Sequence, residues 1–294
     1  MDAYAPTNYA YSAMGNGRSD YDAFYGLSEE MNYFGWHCHD FYELYIHLQG
    51  AEYYSVDNQT YILKPNQLLL LPPFRMHGLM ANNTLKNYER AFIYLSPAFM
   101  KTLGCGQVDI EQLLGDMIER DRFIFDMTEE NARECASHIR QVYLNSRANT
   151  LWDRFTDITH LLTAIRIMLE TAHSQSGSPP AVKVNPLMQE ILSYIEAHCA
   201  EQLSLKSLAE RFNISQSSLS HQFLRYTNHS VYEYIIYKRV MMAKQRLIED
   251  VPPGEVAFLC GFGDYSNFLR AFERISGKSP SQYRREVKQN RQES

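Results

Sequence analysis

The C-terminal third of this sequence contains one pattern twice, and that repeat constrains the fold more than any other feature. Leu208-Ala209 falls on Val256-Ala257 at an offset of 48 residues, and Ile214 falls on Phe262 at the same offset. After one inserted residue, Leu219 falls on Phe268, Phe223 on Phe272, Arg225 on Arg274, Ser230 on Ser279 and Tyr234 on Tyr283. Each copy reads as a short helix beginning near Leu205 or Gly254, then a turn of about three or four residues and a second helix. Ser215 and Asp264 are good N-caps for the second helices, because their side-chain oxygens accept from the free amides of the first turn. Asn228 and Gly277, both tolerant of left-handed backbone, end them. Ala209 and Ala257 are the small residues that let the paired helices approach. The unit is a helix-turn-helix.

If Leu219 and Phe223, and likewise Phe268 and Phe272, point inward at i and i+4, the intervening faces point out. One such face carries Gln216, Ser217, Ser220, His221 and Arg225, and the other Tyr265, Ser266, Asn267, Arg270 and Arg274. These side chains can hydrogen-bond base edges or phosphates in a major groove. Residues 232–248 between the copies read as one continuous helix, about 25 Å long at 1.5 Å per residue. Arg239, Ala243 and Leu247 repeat along it at i, i+4 and i+8. Such a spacer can hold two reading helices about one DNA turn apart (~34 Å), in successive major grooves. Its rigidity favours a bent duplex.

The whole-chain charge, taken alone, opposes a nucleic-acid partner: 28 basic residues against 34 acidic ones leave −6. That average hides two halves. Residues 1–185 hold 14 basic and 22 acidic groups, a balance of −8, whereas residues 205–294 hold 14 against 9, or +5. The basic part coincides with the repeat, so double-stranded DNA is the expected partner. A length of 294 residues is about two domains' worth, and a content of 45% hydrophobic and 21% charged residues excludes disordered and collagen-like chains. The four leucines at 68–71 are closed by Pro72 and Pro73, far short of the ~20 residues of a membrane span, so no membrane association is expected. No basic residue precedes Arg18, which does not fit a secretory signal. Five cysteines, none in a Cys-x-x-Cys pair, fit reduced thiols in a cytoplasm.

Between about residues 33 and 95 the pattern is β-type: runs at 41–48, 53–56, 60–63, 67–71 and 88–95, broken by Gln49-Gly50, Asp57-Asn58 and Lys64-Pro65-Asn66. An antiparallel barrel or sandwich is expected. After Ser96-Pro97 the period changes to about 3.6, with helices at 110–119, 128–144 and 151–172. The last is long enough to form an interface as well as to cover the sheet. Ser174-Gln175-Ser176-Gly177-Ser178-Pro179-Pro180-Ala181 reads as a linker, and Pro186 opens a further helix. The expected organisation is therefore an N-terminal sensing and dimerising domain at 1–173, a linker at 174–185 and an all-α domain at 186–294, in which a linker helix joins the two helix-turn-helix units.

The segment Gly261-Phe262-Gly263-Asp264-Tyr265-Ser266-Asn267-Phe268-Leu269-Arg270-Ala271-Phe272, followed by Gly277-Lys278-Ser279-Pro280-Ser281-Gln282-Tyr283, resembles the signature of the AraC/XylS family of bacterial transcription regulators. With the first copy at 205–234 the resemblance covers about 100 residues. It implies base contacts from Ser217, Ser220 and His221 in one recognition helix and from Ser266, Asn267 and Arg270 in the other. Asn228 stands where many members have Gly. The N-terminal half resembles the cupin-type effector domain common in that family. His37-Cys38-His39 with Glu43 and Gly50 is similar to the first cupin motif, and Pro72 with His77 to a remnant of the second, with Asn66-Gln67 in place of the usual glycine. In cupin enzymes the corresponding residues, here His37, His39, Glu43 and His77, bind a divalent metal. Regulators of this kind mostly use the barrel for an organic effector, so no metal or other cofactor and no enzymatic activity are expected. The expected effector residues are Trp36, His37, His39, Glu43, Tyr45 and His77. The aromatic rings of Trp36, Tyr42, Tyr45, Tyr53, Tyr54 and Tyr94 favour a sugar or glycoside.

These readings combine into a cytoplasmic, homodimeric, effector-controlled regulator of promoter DNA, expected to activate a catabolic operon and hence to meet RNA polymerase. The alternative is a metal-dependent cupin enzyme, or a metal or redox sensor, fused to a DNA-binding module. Cys38 alternates with the histidines, so its side chain is expected on the opposite face of the strand.

Overall fold

The computed structural model describes residues 20–31, 36–80, 85–118, 122–145, 150–175 and 179–292. The expected lack of a secretory signal and the middle of the linker, 176–178, lie outside them. β2 (Tyr42–Gln49) shows how the N-terminal half is built. Its residues are buried on both faces, apart from the terminal Gln49. Leu44, Ile46 and Leu48 pack outward with Leu68, Leu70, Ala91 and Ile93 against α3 (Glu129–Asn145) and α4 (Leu151–His173). Tyr45, together with Leu69 and Leu71 of β5 (Gln67–Leu71), faces the other way into the barrel. A strand covered on both sides needs apolar residues at both parities, which is why its neighbour β5 can be a run of leucine.

Among the described residues one sheet runs β1 (Tyr21–Met31), β7 (Leu85–Leu95), β2, β5, β8 (Ile124–Asp126), all antiparallel. A second runs β4 (Gln59–Ile62), β3 (Tyr53–Val56), β6 (His77–Met80). β1, β6 and β8 were not expected from sequence. The turns were: Asp57 and Asn66 take left-handed backbone at φ 50° and 60°, so Asn66 supplies the geometry of the glycine it replaces. Two further helices, α1 (Pro97–Leu103) and α2 (Ile110–Ile118), complete the N-terminal half.

Val182 donates to the Thr60 carbonyl at 2.7 Å, which lays the chain between the halves along the β4 edge. α5 (Pro186–Ala197) follows, capped by Asn185. The repeat then appears as α6 (Leu205–Arg211) with α7 (Gln216–Thr227), and α9 (Pro253–Leu259) with α10 (Tyr265–Ser276), separated by α8 (Val231–Ile248) and closed by α11 (Pro280–Gln292). Ser215 and Asp264 cap α7 and α10 through their side chains, and Asn228 and Gly277 end these helices in left-handed geometry. Leu219, Phe223, Phe268 and Phe272 are fully buried, each stabilising the fold by roughly 2–3 kcal/mol. Gly261 is required where it stands: at φ 80° an added Cβ would lie 2.5 Å from the Ala200 carbonyl oxygen. Among the described residues no helix is long and apolar enough to cross a membrane.

Candidate effector site and nucleic-acid interface

Both recognition helices present their polar sides to solvent. Gln216, Ser217, Ser220, His221 and Arg225 on α7 are exposed, as are Tyr265, Ser266, Asn267, Arg270 and Arg274 on α10. Along α10, Asn267 donates both its backbone N–H and its side-chain amide to Asp264, and Arg270 Nη2 donates to Asn267 Oδ1 at 2.6 Å. The capping residue thus begins a chain of hydrogen bonds that holds the Arg270 fork on the outer face.

The barrel gathers four of the expected effector residues at one point. His37 and His77 are joined by reciprocal backbone hydrogen bonds of 2.8 and 2.9 Å. Nε2 of His39 and of His77 lie 3.1 and 3.0 Å from the same Glu43 oxygen, Oε2, with His37 Nε2 at 3.9 Å. His39, Glu43 and His77 are buried. The Nδ1 atoms are committed elsewhere, His39 to the Phe41 carbonyl and His77 to the Arg75 carbonyl, both at 2.9 Å. A carbonyl can only accept, so each Nδ1 carries the proton. In a neutral ring Nε2 then offers a lone pair, and burial holds His39 toward the neutral form. Lone pairs converging on a carboxylate oxygen need a cation or extra protons between them. The four ligand atoms lie within 4.8 Å of one another, and three imidazoles with one carboxylate suit a divalent transition ion. By donor chemistry, the residues fit the metal that the cupin resemblance implies.

Tyr45 lies inside the same barrel, where its hydroxyl bonds that of Tyr88. Trp36 does not join the cluster. Odd-numbered His37 and His39 turn into the barrel, so Trp36, Cys38 and Asp40 turn to the other side, which is occupied by the C-terminal helices. Trp36 stacks edge-on with Tyr226 of α7 at 5.7 Å, and its carbonyl accepts from His229 Nε2 at 2.7 Å. Cys38 and Met76 belong to the core cluster of α5, α7 and α8. Burial pushes the Cys38 thiol up to about 12, which leaves no reactive thiolate for a redox role.

Sequence reasoning missed the seam itself. Lys244 of α8 meets Asp40 at 2.9 Å, and Lys238 meets Asp57 at 3.2 Å and Glu196 at 2.7 Å, while Arg75 closes on Asp57 at 2.8 Å. Asn58 donates to Ser193 at 2.6 Å, and Thr60 shares a hydrogen bond with the Tyr226 hydroxyl. Lys238, Arg239 and Lys244 are buried, so three of the basic groups credited above to a DNA-facing domain do not face DNA.

A two-sheet antiparallel β-domain holding a polar cluster, backed by a pair of exposed recognition helices, defines a ligand-binding, DNA-binding regulator. Residues 23–149 match the AraC-like ligand binding domain and residues 208–286 a helix-turn-helix domain, together more than two thirds of the chain. The chain belongs to the AraC family of transcription regulators. It is 25% identical to the HTH-type transcriptional activator RhaS of Enterobacter sp. strain 638 over 258 residues, 87% of each chain. It is 29% identical over 145 residues to the HTH-type transcriptional regulator YdiP of Escherichia coli K12, and 36% identical over 107 residues to YijO of the same organism. Those two matches cover 49% and 36% of this chain, and 46% and 38% of the relatives.

Proposed function

We propose that this regulator activates transcription when a small metabolite, a sugar or glycoside by the aromatic character of the barrel, occupies the space around His37, His39, Glu43 and His77. One observation carries the reading: residues 36–40 touch the polar cluster with one face and the DNA-binding helices with the other. A ligand that moves the histidines must also move Trp36, Cys38 and Asp40 against α7 and α8, and so shift the population of domain arrangements. The activator sense follows RhaS, which is described as a transcriptional activator. In this reading the domains divide at 174–185, the protein acts in the cytoplasm, and the exposed polar faces of α7 and α10 enter successive major grooves. Arg270→Ala is expected to weaken specific binding by ~1–3 kcal/mol, the cost of a lost base contact. Fluorescence anisotropy on a defined operator at fixed salt tests this, and unchanged affinity would reject the assignment of α10.

The homodimer of this reading uses α4. Leu161, Ile165 and Met168 are buried against the barrel, but Leu151, Trp152, Phe155, Ile158 and Leu162 lie exposed on the same helix. Such a stripe exceeds what a monomer leaves in water without cause. Trp152→Ser with Phe155→Ser should give monomers in sedimentation velocity, and an unchanged species would exclude this face.

A second reading is favoured by the convergence of Nε2 lone pairs on Glu43. His37, His39, Glu43 and His77 would hold a divalent cation, which would supply a Lewis-acidic anchor for an oxygen-rich effector. Metal analysis after supplemented expression decides it: less than a tenth of an equivalent of iron, zinc, manganese or nickel rejects the cation.

A further inference from the structure

The barrel interior has a second polar pole, at the opposite end from the histidine cluster. Antiparallel pairing puts His47, Arg90 and Gly26 in one row across β2, β7 and β1, as it puts Tyr45, Phe92 and Phe24 in the next. The Glu43 row is four residues from the His47 row, about 13 Å along the strand. Arg90 is only 7% exposed. Its Nη1 donates to Ser28 Oγ at 2.9 Å, and its guanidinium lies over the rings of Tyr88 at 4.6 Å and Phe24 at 4.9 Å. Among the described residues no carboxylate pairs with it. The adjacent Glu89 alternates to the outer face, where it is taken by Arg133 at 2.7 Å and by the Tyr25 hydroxyl. Gly26 makes room for the Phe24 ring on which the guanidinium lies, since a Cβ there would press on that ring at 2.8 Å.

His47, beside Arg90, is fully buried. The Ala51 backbone approaches its ring, but neither ring nitrogen completes a hydrogen bond. The guanidinium gives one donor to Ser28 and keeps the others at the small surface that Arg90 leaves exposed. The His47 ring is sealed, with no partner among the described residues beyond the nearby Ala51 backbone. Both thus have hydrogen-bonding capacity to spare, and the imidazole is costly as it stands. An anion between them takes up that capacity. We infer that the Arg90 end of the barrel is a carboxylate subsite, in which the guanidinium fork takes the two oxygens and His47 meets one of them. A monoanion fits better than a phosphate, because the pole supplies one permanent charge and burial keeps His47 neutral. This deepens the effector reading and rests on it: the ligand is a carboxylate-bearing one, and a sugar acid joins this pole to the tyrosine lining.

The test uses the full chain and acetate as the probe, with chloride and phosphate at matched ionic strength and pH 7.5 as the comparison. Acetate should raise the thermal midpoint with the logarithm of its concentration, by about 3 °C at tenfold excess over its dissociation constant, and the other anions should not. Arg90→Met keeps the stem packed on Phe24 and Tyr88, and should match or exceed the wild-type midpoint while losing the acetate response. Arg90→Lys provides a second variant that keeps the charge; without the fork, the dissociation constant fitted to its acetate-dependent rise should be at least about fivefold weaker. An acetate response that survives in both variants, or a wild type that treats acetate and chloride alike, overturns the subsite. Ligand-dependent operator affinity is measured separately, so a failed acetate response with that affinity intact rejects this pole and leaves the effector-gated regulator standing.

Discussion

At the seam between barrel and helices, Lys238 is met by Asp57 and Glu196 and Lys244 by Asp40, whereas inside the barrel, among the described residues, Arg90 has a serine hydroxyl and two rings and no carboxylate. Both places bury cations. The seam pairs each with a carboxylate from the facing domain, so its charges fix how two bodies meet. The interior leaves its charge for something that arrives later. Buried ionic groups therefore sort by partner: those answered by the protein hold architecture, and those unanswered mark a ligand.

The comparison breaks first at the seam. Asp57→Asn removes the charge shared by Lys238 and Arg75 but keeps a residue tolerant of left-handed backbone. It should cost about 3 kcal/mol, the low end for breaking a buried pair, because Glu196 remains; urea unfolding of the full chain measures this. A neutral result would mean that the seam is not held by its charges.

The interior is probed by acid. Burial holds His47 down to about 4, against an ordinary 6.5. Between these values the unfolded chain binds the proton and the folded one does not, so stability falls as pH drops from 6.5 toward 4, by about 3 kcal/mol in all. His47→Gln should lack that part of the decline when unfolding is compared at pH 7.0 and 4.5. Equal slopes for the two proteins would place His47 in a wetter site. The smallest effect concerns the helix that carries both seam lysines. Ser230 and Glu233 form a reciprocal cap at the start of α8, and Ser230→Ala should cost about 1 kcal/mol in the same urea assay.

Much of this was legible from residue order. The offset repeat located both helix-turn-helix units, and Ser215, Asp264, Asn228 and Gly277 marked the ends of their second helices, because caps and left-handed turns demand particular side chains. The resemblance to the first cupin motif grouped His37, His39 and Glu43, which the structure brings together on the inner side of the barrel. β1 escaped because Gly26, Ser28, Glu29 and Glu30 dilute its pattern; the strand exists through its long pairing with β7. Lys238 and Lys244 looked like solvent-facing charges on an amphipathic helix, since nothing local tells a lysine that meets water from one that meets an aspartate some 180 or 200 residues away. Trp36 shares the parity of Cys38 along residues 36–40, so it faces the helices and not the effector pocket in which its ring chemistry suggests a place.

The two-sided segment at 36–40 also bears on how such chains diversify. A gene fusion that joins a foreign sensing barrel to these helices would confront Tyr226, His229 and Lys244 with a surface that never faced them, leaving a lysine without its acid and an apolar patch without its tryptophan. Within this segment a change at His37 or His39 alters what the barrel presents to a ligand, whereas a change at Trp36, Cys38 or Asp40 must be matched by one in the helices they meet.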